Sequence, residues 1–328
     1  MELTPLPFFL LQKKIEEEWQ NMKKKAALLL VTAMVAASLT ACGASTTAST
    51  EATAAPETAV ETTAAEEATE AATEVVTEAA AETAEAGVID LSDVTLMNDG
   101  VLTVGVEVGY PPFEDFAEDG TTPIGYDIDI ATEVASRLGL EVNFINTAWD
   151  GIFAGIDTNY DCVCSAVTIN AERKETMSFS TPYIDNYQAV VVPTGSDLAI
   201  AGFEDLDGLI VAVQKETTSD ELISDYKSTG TINVEIVANE KVTSCFTQVT
   251  NGEVDAVVVD STVADGYVAG NPELYTIIFQ DDTEPEEFGI AMGLNNTSLQ
   301  TAVNAALAAM EADGFIRETY DYWFGSAQ

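Results

Sequence analysis

The segment from Ser165 to Arg173 combines the residue types that bind a carboxylate. The short apolar run Cys162–Cys164 precedes it and predicts a buried strand, and Asn170 weakly predicts the start of a helix. The chain therefore leaves a sheet and turns with free backbone N–H groups and the Thr168 hydroxyl before it presents Arg173. A guanidinium group binds a carboxylate through two parallel hydrogen bonds, and open amides in a turn supply further donors.

A residue of opposite charge, Asp260, stands where the apolar run 256–259 gives way to a predicted helix. It can be a helix N-cap or a ligand group, or both, because open α/β sheets bind ligands outside the carboxyl ends of their strands. Arg173 also has a simpler interpretation, in which it pairs with Glu172 or Glu175 on a wet helix face.

The composition excludes several classes of function. The chain has 12 Lys and Arg, 56 Asp and Glu, no His and a formal net charge of −44. A chain this acidic repels nucleic acid and anionic lipid headgroups. The absence of His excludes Ser-His-Asp and Cys-His catalysis and removes the commonest zinc ligand. Four Cys in a chain of this length are not a disulfide framework, and without a glycine-rich phosphate loop or zinc-spaced cysteines we predict no cofactor and no metal.

Residues 22–42 have the parts of an export signal in order. Met22 precedes three lysines, and the apolar stretch 26–37 is too short to span a bilayer comfortably. The end of the segment, Leu-Thr-Ala-Cys-Gly at 39–43, resembles the bacterial lipobox, whose cysteine is lipidated and becomes the first mature residue. A helix with an incidental cysteine is the alternative. We expect 22–41 to be a lipoprotein signal peptide and Cys42 to carry the lipid.

Two further segments lie outside any folded body. Residues 1–21 fit no part of a signal and are expected to be a non-native extension. Residues 44–86 consist almost wholly of Ala, Thr and Glu, with no Lys, Arg or aromatic residue. Because no apolar stripe can be buried and the charge has one sign, we predict a disordered tether over 42–90. A surface helix is the alternative, and either form would hold a folded body away from the membrane.

From about Leu91 the composition is that of a globular protein, and about 235 residues remain, enough for two modest lobes. A strand at 102–106, a helix at 126–138 and a strand at 140–145 predict a βαβ unit with a parallel sheet. A short helix is expected to begin at 149–153.

The same alternation of strands and helices restarts after Gly195. Strands are predicted at 209–213, 233–237 and 256–259, and Thr217 is predicted to begin a helix that runs to about Tyr226. Residues 288–292 are predicted as one more strand, before a long Ala-rich helix and a short final one.

Several polar or aromatic residues of this body have ordinary structural interpretations. Asp127 and Asp129 fall at a helix start, where carboxylates favour the helix dipole, so we interpret them as capping residues. Tyr110 can simply pack its ring beneath the turn that follows it. Cys162 and Cys164 share one face of a strand, which favours small buried hydrophobic groups over a disulfide bond between them.

Five motifs, in the right order, resemble those of the family 3 solute-binding proteins of ATP-driven amino-acid importers. They are Tyr-Pro-Pro-Phe at 110–113, Gly-Tyr-Asp-Ile-Asp-Ile-Ala at 125–131, Thr-Ile-Asn-Ala-Glu-Arg at 168–173, Phe-Ser-Thr-Pro-Tyr at 179–183 and Tyr-Trp-Phe-Gly at 322–325. The resemblance covers about 101–325. A lipobox followed by a low-complexity tether is also how Gram-positive members are usually held outside the cell.

The resemblance implies an α/β fold of the periplasmic-binding-protein type II, with two mixed, mostly parallel sheets joined by two crossing hinge segments. Lobe 1 is expected at 91–192 plus 285–328, and lobe 2 at 193–284. The implied function is that of a monomeric, non-enzymatic lipoprotein on the outer face of the cell membrane. It would close over one free L-amino acid and deliver it to the membrane subunits of an ABC permease.

The resemblance also implies a role for each ligand-binding position. The α-carboxylate is expected on Arg173, Thr168 and backbone N–H groups around Ala166, and the α-ammonium group on Asp260 and backbone near Ser165. Tyr110 and Trp149 are expected to sandwich the ligand between their rings. Thr217 and Thr218 of lobe 2 are expected to contribute amides to the carboxylate. Glu107 and Gln214 are expected to touch the ligand's side chain.

Two positions depart from the family pattern. Ala166 stands where Gly is usual, so the backbone there must tolerate a Cβ atom and the carboxylate pocket can be reshaped. Gln214 replaces a residue that is Lys in some members, which leaves Glu107 without an obvious local cation. This combination favours, weakly, a ligand side chain that donates hydrogen bonds, either an amide or a cation.

Two other functions remain open at this point. Some relatives of this fold are dehydratases that act on arogenate or prephenate, and Glu107 or Asp260 could serve such an enzyme as general acid or base. The lobe-2 residues match binding members, and the lipobox places the protein where a biosynthetic enzyme is unexpected. A receptor that feeds a sensor instead of a transporter is the third hypothesis.

We expect translation to start at Met22, because the basic segment of the export signal begins there. The measurement is the intact mass of the unprocessed precursor, made in cells whose signal peptidase is blocked. The expected mass begins at residue 22, and a mass that includes Met1 would contradict the prediction.

Overall fold

The computed structural model describes Ile89 and residues 91–325. The expected N-terminal extension, the signal peptide, Cys42 and nearly all of the tether lie outside these described residues and stay predictions. In the part of the chain that is described, no helix is long and apolar enough to cross a membrane.

Twelve strands and six α-helices make up the described body. The strands are β1 Val101–Val106, β2 Asp115–Phe116, β3 Pro123–Ile124, β4 Glu141–Asn146, β5 Cys162–Val163, β6 Met177–Phe179, β7 Ile184–Pro193, β8 Ile210–Gln214, β9 Glu235–Asn239, β10 Ala256–Asp260, β11 Tyr275–Phe288 and β12 Ala291–Gly293. The helices are α1 Tyr126–Arg137, α2 Thr218–Ser228, α3 Val242–Asn251, α4 Ser261–Gly270, α5 Thr297–Asp313 and α6 Phe315–Trp323.

The first sheet has the order β4-β1-β5-β12-β6. Strand β1 pairs in parallel with β4 and with β5, while β12 pairs antiparallel with β5 and β6. Helices α1, α5 and α6 pack together on this sheet. The β-branched run of β1 is buried from Leu102 onward, as an apolar strand inside a parallel sheet must be. The βαβ unit predicted from the sequence is confirmed.

The second sheet has the order β11-β7-β10-β8-β9. Strand β8 pairs in parallel with β9 and β10, and β7 pairs antiparallel with β10 and β11. Helices α2, α3 and α4 pack against it. Thr217 is the N-cap of α2, and its hydroxyl accepts a hydrogen bond from the Asp220 N–H at 3.3 Å. Both sheets are therefore mixed, and each with its helices forms one lobe, which confirms the predicted fold class.

Strands β7 and β11 connect the two lobes. They pair along most of their length, from Tyr275 opposite Pro193 to Phe288 opposite Ile184. At the first-lobe end, the Ile169 N–H donates to Glu287 O at 2.8 Å. Most of β7 belongs to the second sheet although it lies before residue 193, and the expected lobe boundaries at 192/193 and 284/285 stay a prediction.

The sequence missed β11 and merged its end with β12. Residues 288–292 were predicted as a single strand, but β11 ends at Phe288 and β12 begins at Ala291. The sequence of β11 is acidic and contains Pro285, which a central strand does not tolerate. Here β11 is the edge of its sheet, and Pro285 falls inside the register shift between Asp281 and Glu286.

Asp127 and Asp129 are buried, and their carboxylates bond to groups outside α1. The N-cap position is Gly125. Asp127 Oδ2 accepts from the Ala166 N–H at 2.6 Å, and its Oδ1 accepts from the Tyr183 hydroxyl at 2.8 Å. Asp129 Oδ2 accepts from Trp323 Nε1 at 2.8 Å. Both carboxylates do lie in the first turn of α1, as the sequence predicted, but neither makes a capping hydrogen bond. They tie α1 to distant parts of the first lobe instead.

Two smaller predictions have clear outcomes. Residues 149–153 form two single 3-10 turns, Trp149–Gly151 and Phe153–Gly155, and not the start of an α-helix. Cys162 and Cys164 are buried free thiols, as the sequence suggested. Burial raises the pKa of both thiols, so neither is a reactive thiolate near neutral pH.

We expect Asp129→Asn to stabilise the protein at pH 7. Burial raises the pKa of Asp129 to about 6, so the folded state holds its proton more tightly than the unfolded state does. The stability gained from the neutral form is complete below about pH 4 and is lost as the pH rises through 6. Two pKa units correspond to about 3 kcal/mol, and the asparagine oxygen can still accept from Trp323.

The measurement is urea unfolding of both proteins from pH 4 to pH 8, with Asp225→Asn on the exposed face of α2 as the control. The free energy of unfolding of Asp129→Asn should exceed that of the parent by more as the pH rises, and the two values should be equal near pH 4. A constant difference across this range would contradict the prediction.

Candidate functional site

One cavity lies between the two lobes, at the ends of strands β1, β5, β8 and β10. The space between its lining atoms, including the part that is open to solvent, is about 310 Å³. Twelve residues line it: Glu107, Tyr110, Glu114, Trp149, Ser165, Ala166, Thr168, Arg173, Gln214, Thr217, Thr218 and Asp260. The structure therefore brings together all eleven residues proposed from the sequence and adds Glu114. Their binding of a ligand stays a prediction.

Arg173 is held inside the first lobe and not on a wet helix face. Its N–H donates to Asn170 Oδ1 at 2.8 Å, which sets the turn, and its Nη1 donates to Thr168 O at 3.1 Å. The guanidinium carbon lies 5.6 Å from the Trp149 ring centre and 5.4 Å from that of Phe153. Burial lowers the pKa of Arg173, but a guanidinium group stays charged in proteins. The side chain is therefore a fixed, desolvated cation.

Asp260 ends β10 and occupies the N-cap position of α4, yet its carboxylate is used elsewhere. Its Oδ1 accepts from Asn186 Nδ2 and from Gln188 Nε2, both at 2.8 Å, and its Oδ2 accepts from the Tyr110 hydroxyl. Burial, followed by the charge of Glu286, raises the pKa of Asp260 to about 7. A nearby cation would offset both effects and favour the ionised carboxylate.

Three polar residues of the connecting strands reach this site and were missed by the sequence analysis. Asn186 and Gln188 alternate along β7, so both side chains lie on one face and point at Asp260. Glu286 on β11 accepts from the hydroxyls of Thr168 and Thr218, both at 3.0 Å, one from each lobe. The polar alternation at 186 and 188 was a usable signal, but Glu286 lay in a strand that the sequence did not predict.

The turn at Ala166 is built by the first lobe itself. Ala166 has φ = 48°, in the left-handed region that favours glycine, which explains why its Cβ atom was unexpected. Its N–H donates to Asp127 Oδ2 at 2.6 Å. The Asp127 carboxylate therefore occupies the amide of Ala166 itself, and the expectation that backbone N–H groups around Ala166 bind a ligand carboxylate stays a prediction.

Glu107 and Gln214 meet across the cavity from opposite lobes. Gln214 Nε2 donates to Glu107 Oε2 at 2.7 Å and to Glu240 O at 3.2 Å. Lys241 Nζ lies 3.5 Å from Glu107 Oε1. The sequence offered Glu107 no obvious local cation, but the structure supplies one from a distant part of the sequence, because Lys241 is the N-cap residue of α3 in the second lobe.

Further contacts hold the lobes closed around the cavity. Trp149 Nε1 donates to Glu216 O at 2.9 Å, and Lys241 Nζ donates to Val108 O at 2.9 Å. These bonds join groups at the rim of the first lobe to loops of the second. The site is therefore described in a closed arrangement, in which each lobe supplies one side of the cavity.

The cavity contains the means to bind charge but no metal-binding cluster. Across the described residues, no group of three or more His, Cys, Asp or Glu is arranged to hold a metal ion. The arrangement offers one guanidinium group, several carboxylates and the aromatic rings of Tyr110 and Trp149. These groups can bind a small molecule that carries both positive and negative charge.

Comparison with known proteins identifies one family. The model of the bacterial extracellular solute-binding proteins, family 3, matches residues 102–326. The chain is 30% identical over 228 residues to ABC transporter arginine-binding protein 1 of Escherichia coli strain K12, in a match that covers 68% of this chain and 90% of that protein.

Solved structures give the same result. An ancestral arginine-binding protein bound to arginine is 36% identical with a TM-score of 0.64, over 69% of this chain and 99% of that one. An ancestral arginine-binding protein bound to glutamine is 35% identical with a TM-score of 0.64, over 70% and 100%. An ancestral amino-acid-binding protein described as a precursor of cyclohexadienyl dehydratase is 34% identical with a TM-score of 0.62, over 69% and 96%.

We expect Ala166→Gly to stabilise the fold by about 0.5 to 1 kcal/mol. The left-handed conformation costs an L-residue roughly 1 to 2 kcal/mol, and glycine removes this cost. Part of the resulting stabilisation is lost because glycine also makes the unfolded chain more flexible. The measurement is urea unfolding of the ligand-free protein.

Ala308→Gly, at an exposed position in the middle of α5, is the matched control for this substitution. There the conformation is helical, and glycine should cost about 1 kcal/mol. Destabilisation by both substitutions to a similar extent would show that the turn at Ala166 carries no strain.

Proposed function

The chain belongs to the bacterial extracellular solute-binding proteins of family 3, and from this premise we propose that it captures a free amino acid between its two lobes. It would deliver that amino acid to the permease of an ABC importer outside the cytoplasm. The relatives that support this proposal are named as ABC-transporter or amino-acid-binding proteins.

One observation carries the proposal: Arg173 and Asp260 are buried charges of opposite sign that face the same cavity from different lobes. They are 8% and 6% exposed. An amino acid carries a carboxylate and an ammonium group a few ångströms apart, so it can neutralise both. We propose that Arg173 and the Thr168 hydroxyl bind the α-carboxylate, and that Asp260 binds the α-ammonium group. The rings of Tyr110 and Trp149 would enclose the ligand between them.

Closure of the lobes couples this binding to transport. Only the closed form brings both charged groups onto one ligand, so the ligand favours closure by the free energy of the contacts that it makes in that form alone. Thr217, Thr218 and Gln214 lie on the second lobe and reach the ligand only after closure. The membrane subunits of a transporter can distinguish the two forms by the shape of the closed protein.

The finer localisation is a separate part of the proposal. The lipobox-like segment at 39–43 supports a lipid on Cys42, and the composition of 44–86 supports a tether. We propose a monomer anchored to the extracellular face of the membrane, with lobe 1 at 91–192 plus 285–328 and lobe 2 at 193–284.

We propose that the protein is not an enzyme. The dehydratase alternative keeps one supporting observation, the likeness to a precursor of cyclohexadienyl dehydratase. In this cavity, however, Asp260 accepts hydrogen bonds from two amide groups and a phenol, and these donors favour its ionised form. Turnover of arogenate or prephenate by the purified protein would restore the enzyme hypothesis.

The direct experiment is a thermal-shift screen of the soluble body, residues 91–328, against the common amino acids. A ligand at 100 times its dissociation constant adds about 2.7 kcal/mol to the free energy of unfolding. At least one amino acid should raise the melting temperature, and a screen in which none does would reject the binding proposal.

We expect Arg173→Lys to weaken amino-acid binding at least about tenfold and Arg173→Ala to weaken it at least about 100-fold. Lysine keeps the charge but loses the planar group that donates two parallel hydrogen bonds, whereas alanine leaves the ligand carboxylate without its cation. The measurement is isothermal titration calorimetry with the amino acid found in the screen.

Arg317→Ala is the control for these variants, because that side chain is 75% exposed and pairs with Asp321 on the surface of α6. It should bind with the parent's affinity. Parental affinity in Arg173→Ala as well would place the carboxylate site elsewhere.

A further inference from the structure

Three buried oxygen atoms in the cavity accept no hydrogen bond. They are Oε1 of Glu107, Oε2 of Glu114 and Oε1 of Gln214, and they are the complete set of unpartnered buried side-chain polar atoms within the described residues. All three residues line the same cavity. Unsatisfied buried polar groups are costly and rare in folded proteins. Lys241 Nζ, 3.5 Å from Glu107 Oε1, offsets part of this cost without forming a hydrogen bond, and the remaining acceptors indicate a missing donor.

Hydrogen bonds already occupy the other side-chain polar atoms of these three residues. Gln214 uses its amide nitrogen on Glu107 Oε2 and Glu240 O, which leaves its oxygen without a donor. The Ser165 hydroxyl donates to Glu114 Oε1 at 2.5 Å and accepts from the Glu107 N–H at 3.0 Å. Ser165 bonds the Glu114 carboxylate and the Glu107 backbone, and Gln214 bonds the Glu107 carboxylate, so the three residues belong to one hydrogen-bonded cluster.

The charges around the cavity do not balance. Glu107, Glu114 and Asp260 are carboxylates, and Arg173 is the single cation among the lining residues. Lys241 reaches Glu107 Oε1 from the rim, where its side chain is 40% exposed. With these groups and Lys241 ionised, one negative charge remains, and Glu286, which accepts from the lining residues Thr168 and Thr218, adds a second. A zwitterionic ligand with a neutral side chain leaves that excess in place, whereas a cationic side chain reduces it.

Glu114 has the greatest need of a cation. It is fully buried, and burial, followed by the charge of Asp127, raises its pKa well above the ordinary value. Its Oε2 is one of the three oxygens that accept no hydrogen bond. A cation placed against this oxygen favours the ionised form and satisfies it.

We propose that Glu107, Glu114 and Gln214 form a subsite for a guanidinium group, and therefore that the ligand is arginine or a close guanidino analogue. This inference rests on the proposed function, because it places the ligand's α-carboxylate and α-ammonium groups on Arg173 and Asp260. Glu114, which sequence reasoning did not select, is then the residue that determines the charge of the accepted side chain.

The acceptor set favours guanidinium over the other donors that an amino acid can offer. A side-chain amide has two N–H donors and no charge, so it cannot satisfy three acceptors or balance the excess. The lysine ammonium group has three donors but is strongly hydrated, and its transfer into a closed cavity is costly. Guanidinium offers five N–H donors in one plane and is more weakly hydrated, which suits a buried cluster of carboxylates.

The first test compares four ligands by isothermal titration calorimetry on the body used for the screen: arginine, citrulline, lysine and glutamine. Citrulline has the shape of arginine with a neutral urea group. We expect arginine to bind at least about 100-fold more tightly than citrulline or glutamine, and more tightly than lysine. Equal or tighter binding of citrulline, glutamine or lysine would overturn the guanidinium assignment.

The second test is Glu114→Gln, which keeps an oxygen for the Ser165 hydroxyl and removes the charge. Arginine affinity should fall about 10- to 100-fold while citrulline affinity stays within about threefold, so the ratio between the two ligands collapses. Glu118→Gln, the same change at an exposed position of the same segment, is the control and should leave the ratio unchanged. An unchanged ratio in Glu114→Gln would overturn the role of Glu114.

These outcomes separate the two proposals. If no amino acid binds the parent protein, the proposed function fails. If a neutral amino acid binds the parent tightly and Arg173→Ala abolishes that binding, the function holds and the guanidinium subsite is rejected. Melting temperatures of the ligand-free variants distinguish a loss of binding from a loss of fold.

Discussion

The removal of charged side chains from water is the constraint on which the rest of this structure depends. A buried ion without a partner costs several kcal/mol, yet Arg173 and Asp260 are both almost fully buried. The protein limits this cost with aromatic rings near the guanidinium group and with two amides and a phenol on the carboxylate. A ligand that carries both charges can offset the part of this free-energy cost that these groups leave.

The connecting strands have two roles that follow from one piece of geometry. Strands β7 and β11 pass between the lobes, and the same strands carry Asn186, Gln188 and Glu286 to the cavity. Glu286 accepts hydrogen bonds from one threonine of each lobe. Any bend of these strands that opens the lobes must therefore change the contacts of the site as well. Closure and binding are therefore coupled through the backbone of these two strands.

A single turn of the first lobe positions both ends of the cavity. Ser165 at its start holds Glu114, and Arg173 at its end provides the cation. The turn is fixed by Asp127, which bonds the amide of Ala166 while Ala166 takes a left-handed conformation. The buried carboxylate of α1 thus acts on the site indirectly, through the shape of the turn. In the sequence it looked like a helix cap because it lies in the first turn of α1.

The sequence by itself determined the βα order and most strands and helices, since apolar periodicity is a short-range signal. The family resemblance, carried by short motifs, implied eleven of the twelve residues that line the cavity. Tertiary structure alone decided the rest. Lys241 meets Glu107, and Glu286 meets Thr168, across more than one hundred residues of sequence. Glu114 became a site residue only when packing buried it beside Ser165. Such contacts depend on how the two lobes close, and no local pattern of residues encodes a distance between chain segments so far apart.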